Sequence, residues 1–94
     1  MTDKELLELA AKAAGIVGRW DEEADCFVPR DGPIFWNPLT DDGDALRLAV
    51  KLGIRIDFQG SSVKADDHVC TALDVYAATR RAIVRAAAEI GKTK

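Results

Sequence analysis

Trp36-Asn37-Pro38-Leu39-Thr40-Asp41-Asp42-Gly43-Asp44-Ala45-Leu46-Arg47-Leu48-Ala49-Val50-Lys51-Leu52 decides the middle of the fold. Asn37-Pro38 interrupts any regular element, because the proline ring fixes its own φ and disfavours helix at the residue before it. Thr40 then reads as a helix cap, with Asp41, Asp42 and Asp44 in the first turn facing the positive end of the helix dipole. Leu46, Ala49, Val50 and Gly53 recur along one side, which is expected to be buried, and Leu48 and Leu52 widen it. Arg47 and Lys51 lie on the opposite, solvent side. Gly53 ends the helix, since glycine accepts a left-handed backbone without a Cβ clash.

Downstream, Ile54-Arg55-Ile56-Asp57-Phe58 alternates, so Ile54, Ile56 and Phe58 are expected to face a core and Arg55 and Asp57 to face away. That pattern predicts a sheet with one polar face, as antiparallel sheets allow. Gln59-Gly60-Ser61-Ser62 reads as a turn, Val63-Lys64-Ala65 as a return strand, Ala65-Asp66-Asp67-His68 as a second turn, and Val69–Leu73 as a third strand. Asp74 caps a last helix over about Val75–Ile90, ended by Gly91. Its expected buried stripe is Tyr76, Thr79, Ile83, Ala87 and Ile90, with Ala82, Val84 and Ala86 beside it. Residues 92–94 read as a frayed tail.

Upstream, Thr2-Asp3-Lys4-Glu5 fits a capping box. Leu6, Leu9, Ala10 and Ala13 follow at helical spacing, with Leu7 and Ala14 alongside, and Gly15 closes this first helix. Ile16–Trp20 reads as a strand, Asp21–Asp25 as a polar turn, and Cys26-Phe27-Val28 as a strand pairing back. Arg30-Asp31-Gly32-Pro33 breaks the chain before a further short strand, Ile34-Phe35-Trp36. The expected order is α-β-β-β-α-β-β-β-α, an α+β domain. It has a mostly antiparallel sheet packed with three helices, with a layered α/β sandwich as one arrangement of them.

Ninety-four residues suit one domain, residues 1–94, of modest stability. The net charge of −3 is unevenly spread: residues 1–44 hold eleven acids against four bases, and residues 45–94 hold five against nine. Such a split follows from an acidic helix start and a basic helix face, or it serves association through opposite patches. No apolar run approaches the roughly eighteen residues of a membrane span. No secretory signal is read at Met1-Thr2-Asp3-Lys4, so Cys26 and Cys70 are expected to be buried, reduced thiols in a cytoplasmic setting.

Three blocks carry a resemblance: the opening Asp3–Gly15, the central Trp36–Leu48 and the closing Ala77–Gly91. Together, in this order, they resemble the phage ABA sandwich domain proteins, small open reading frames of tailed phages and prophages. The resemblance spans the chain and implies a phage or prophage origin and a layered α/β fold; with that origin, the cytoplasm expected from the cysteines is that of the host cell. It implies no reaction.

Candidate chemistry is sparse. Asp41, Asp42 and Asp44 lack the alternating ligands and distant glutamate of a calcium loop, and the helix dipole accounts for them. No metal or cofactor is expected. His68 and Cys70 fall on one side of a strand, but nothing nearby in sequence orients the histidine as a catalytic dyad requires, so no enzyme is expected. Arg80, Arg81 and Arg85 lie off the buried stripe, where guanidinium forks suit a phosphate. The acidic total and the absence of interleaved exposed aromatics argue against nucleic acid. Trp20 and Trp36 suit core plugs; Trp36, if half-exposed before the proline turn, marks an interface. The functional expectation is a binding protein: a protein-interaction module for a host or phage protein, with self-association as one form of it. The alternative is a binder of a small anionic ligand, of nucleotide type, on the arginine face.

Overall fold

The structure, a computed structural model, describes residues 1–32 and 35–94. In chain order they form α1 (Asp3–Ala14), β1 (Gly18–Asp21), β2 (Cys26–Pro29), α2 (Asp42–Leu52), β3 (Ile56–Gln59), β4 (Ser62–Ala65), β5 (His68–Thr71) and α3 (Val75–Lys92). The class is α+β. β1 and β2 make a separate antiparallel hairpin, and β3-β4-β5 make an antiparallel meander in that order. Of the strand expected over Ile34–Trp36, Ile34 lies outside the described residues, Phe35 is not in a strand, and Trp36 forms a single bridge to Phe27. The first strand begins at Gly18 rather than Ile16.

The helix starts follow local chemistry. Thr2 and Glu5 form the complete capping box, and Gly15 ends α1 at φ 72°. The cap of α2 is Asp41, not Thr40: the Asp44 amide donates to Asp41 Oδ2 at 2.8 Å, while the Thr40 hydroxyl turns back toward the Asn37 carbonyl. A carboxylate serves better at this position, because its charge also meets the helix dipole. Asp44 is itself buried and ties the proline turn to the helix. Its carboxylate accepts from the Asn37 amide at 3.0 Å and from Arg47 Nη2 at 2.7 Å.

The buried side of α2 is also displaced by one position. Ala45, Leu48 and Ala49 are buried, whereas Leu46 and Val50 are exposed. In α3, Tyr76 is exposed and Ala78, Ala82, Ile83, Val84 and Ala87 are buried. Phe58, expected in the core, is exposed although Ile54 is buried and Ile56 half-buried.

α3 is the central element. It packs against β4 and β5 on one side and against α1 and α2 elsewhere. A helix enclosed by so many neighbours must be apolar nearly all round, and alanine allows this at close spacing. α1 and α3 run side by side in the same direction, from the Asp3–Arg81 ion pair (3.1 Å) to the Lys94 ammonium on the Ala13 carbonyl (3.0 Å). Between these ends the backbones touch. Gly91 is buried within α3 rather than ending it, and a Cβ there would overlap the carbonyl oxygen of Leu9. The helix therefore continues to Lys92, with Thr93 bonded back to Ile90.

Two stability predictions follow from these contacts. Gly91→Ala should destabilise the protein by about 1–3 kcal/mol in urea unfolding, as overpacking does, although alanine is the better helix former. A more stable variant would mean that the helices do not approach at Gly91. Asp41→Ala should cost about 1 kcal/mol and Thr40→Ala clearly less; the reverse order would restore Thr40 as the cap.

Candidate functional site

The arginines singled out in the sequence are placed by α3, but they reach three different elements. Arg80 lies against the start of α2: its Nε donates to the Leu39 carbonyl at 2.8 Å and its Nη1 to Asp42 at 2.6 Å, and its side chain is only 17% exposed. Arg81 pairs with Asp3 of α1. Arg85 Nη1 points to Cys70 Sγ of β5 at 3.7 Å. The structure does not converge them on one cradle. Arg80 and Arg81 instead join the basic C-terminal half to the acidic N-terminal half within one chain. Within the N-terminal half, Lys4 of α1 ties down the hairpin turn: its hydrogen bond to Glu22, reinforced by that carboxylate's charge, raises its pKa above the ordinary lysine value.

Trp36 is a core side chain. It is 6% exposed, and its ring meets Phe27 edge-on with centroids 5.7 Å apart and planes at 70°. That geometry suits the ring quadrupoles, and it removes Trp36 from any surface. Trp20 packs against the same core. Cys26 and Cys70 are buried free thiols. His68 and Cys70 lie on the same face of β5, two residues apart, with Cys70 engaged by Arg85. Among the described residues, no group of three or more His, Cys, Asp or Glu side chains is arranged to hold a metal ion. No described helix is long and apolar enough to cross a membrane.

The feature that sequence reasoning missed is a groove of about 480 Å³ between α2, β3 and α3. It arises from how the helices cover the sheet. In β3, Ile56 and Phe58 face the same side as their register partners Ala65 and Val63, which are buried beneath α3. α3 covers β4 and β5, but little of it reaches β3. The inward side of β3 is therefore left as a floor, walled by Ala45 and Leu46 of α2 and by Tyr76 and Ile83 of α3, with the Asp42–Arg80 pair in the wall.

Leu46, Phe58 and Tyr76 stand 60%, 64% and 66% exposed around this groove. The signal for it was present in the sequence. Leu46 and Val50 extend the apolar side of α2 beyond what one packed face needs, and Tyr76 does so in α3. Scattered exposed apolar residues are ordinary, but three large ones around one hollow are the pattern of an interaction surface.

No model of a protein family, no characterised protein and no solved structure matches this chain. The site therefore has to be read from its own chemistry. The hydrogen bonds make one point testable at once. Arg80→Ala should cost about 2 kcal/mol of unfolding free energy, because it strips a charged donor from the half-buried Leu39 carbonyl. Arg81→Ala, which removes an exposed pair, should cost less than about 1 kcal/mol. Equal costs would contradict the structural role assigned to Arg80.

Proposed function

We propose that this is a small accessory protein that acts by binding another protein, with the groove between α2, β3 and α3 as its docking surface. The observation that carries the proposal is the grouping of Leu46, Phe58 and Tyr76, all largely exposed, around a floor that the protein's own helices leave uncovered. Large apolar side chains around a groove gain by burying area in a partner, and aromatic residues supply most of such binding energy. The three sequence blocks that resemble the phage family support a phage origin, and with it a host-cell setting.

The alternative, an anionic ligand on Arg80, Arg81 and Arg85, has weaker support. Two of the three guanidinium groups already hold carboxylates, and a phosphate would have to displace Asp42 and Asp3. A catalytic reading has less support still. His68 makes no hydrogen bond to another described side chain, so nothing holds it in a base's orientation toward Cys70.

The test uses tagged protein expressed in a bacterial host. Wild type is compared with Phe58→Asp, which spoils the groove, and Val69→Asp, which alters an exposed position on the opposite face of the sheet. A specific partner should be retained by wild type and by Val69→Asp and lost from Phe58→Asp. Identical retention by all three, or retention by none, would contradict the groove as the working surface.

A further inference from the structure

Resting on the groove as the docking surface, we infer that its occupant is an extended segment of a partner protein. It adds to β3 as an antiparallel strand, with a lysine or arginine opposite Asp57 between two apolar residues. The inference starts from hydrogen-bond direction. The Asp66 amide donates to the Arg55 carbonyl at 2.8 Å and the Arg55 amide to Asp66 Oδ1 at 2.9 Å, so positions 55 and 66, one step beyond the β3–β4 ladder, face each other in the phase of a hydrogen-bonded pair. Such pairs alternate along an antiparallel ladder. Asp57 and Gln59 therefore direct their backbone groups at Lys64 and Ser62, and Ile56 and Phe58 direct theirs away from β4. β3 is the edge of its sheet. Its free side thus offers two N–H and two C=O groups, from the same two residues whose side chains form the groove floor.

Edge strands are usually protected by proline, lysine, a bulge or a covering element. β3, Ile56-Asp57-Phe58-Gln59, is short and carries one charge, Asp57, but it has neither proline nor lysine, and its register with β4 runs without a bulge. A strand pairing there would satisfy the four backbone groups. Its inward side chains would enter the space beside Ile56 and Phe58 and against Leu46 and Tyr76. Backbone bonds from an added strand, with pockets for alternate side chains, are a general mode of peptide recognition.

Charge then selects the strand. Between Ile56 and Phe58, Asp57 points to the outer face, with Lys64 beside it on β4 and no counterpart on the free side. That outer hollow carries Asp57, Asp66 and Asp67 against Arg55 and Lys64. In an antiparallel strand, the residue between the two hydrogen-bonded pairs sits directly opposite Asp57 as a close, non-hydrogen-bonded pair. A basic residue there is favoured and an acidic one disfavoured. The same rule disfavours a second copy of this chain: the self-pairing that uses all four edge groups sets Asp57 against Asp57. The segment that fits is apolar–basic–apolar, extended, from a different protein.

The experiment titrates the isotopically labelled protein with three capped peptides, Thr-Ile-Xaa-Ile-Thr with Xaa lysine, asparagine or glutamate, followed by NMR. The lysine peptide should shift the Ile56 and Phe58 amides and the Leu46 and Tyr76 side chains, and should bind roughly tenfold more tightly than the glutamate peptide. Asp57→Asn, checked to be folded from its amide spectrum, should reduce that preference, and Asp57→Lys should invert it. Shifts at Leu46 and Tyr76 without the Ile56 and Phe58 amides would keep the groove and overturn the strand. Equal binding of the three peptides, or a wild-type dimer paired through β3, would overturn the assigned chemistry. No shift with any peptide would overturn the strand even where Phe58→Asp has lost a partner, and so leaves that separate result standing.

Discussion

The structure depends on how closely α1 and α3 approach. Gly91 presents no side chain to the Leu9 carbonyl, and the buried faces of both helices are mostly alanine, so two parallel helices pack with their backbones nearly in contact. A slender pair of this kind buries little area per residue, since each alanine contributes only one methyl group, on the order of 0.8 kcal/mol. What it gains is a narrow central helix that four other elements can reach. Charge fixes the register of the pair at its two ends, through Arg81 on Asp3 and Lys94 on the Ala13 carbonyl. The opposite charges of the two chain halves thus meet inside one molecule. Exposed pairs of this sort are individually weak, and the partly buried Arg80, bonded to both Leu39 and Asp42, is the firmest of them.

The same slenderness leaves the groove. A helix of alanine covers two strands, β4 and β5, and stops short of the third. α2 is held to one side by the turn from Asn37 to Asp44, in which the Asp44 carboxylate binds the Asn37 amide. With α2 fixed there and α3 narrow, Ile56 is only partly covered and Phe58 is left open. The uncovered floor and the free strand edge are then two consequences of one packing arrangement. They coincide at the same residues, and for that reason a strand suits the site better than a compact ligand.

Much of the fold was legible in local chemistry. The capping box at Thr2, the left-handed glycines at 15 and 53, the alternation from Ile54 and the Asp74 cap each determine backbone conformation within a few residues. What could not be read were facts of approach between distant elements. Gly91 resembles a helix end in sequence, and only the proximity of Leu9 makes it an interior contact. Leu46 and Val50 sit one position from Ala45 and Ala49, so periodicity alone does not decide which pair faces α3. The arginines were legible as a polar helix face, but their partners Asp42 and Asp3 lie 38 and 78 residues away. For Trp36 the sequence left two places, a core plug or a half-exposed interface residue beside the proline turn, and the edge-on contact with Phe27 puts it in the core.

The central claim is that β3 presents an open edge above an uncovered floor. Amide hydrogen exchange of the protein alone, resolved by NMR, tests this most directly. The Ile56 and Phe58 amides should exchange close to the rate of an unstructured peptide, while those of Asp57 and Gln59, bonded to β4, should be slower by roughly a hundredfold or more. Protection of Ile56 and Phe58 equal to that of their neighbours would mean that the edge is already covered, and would contradict the account.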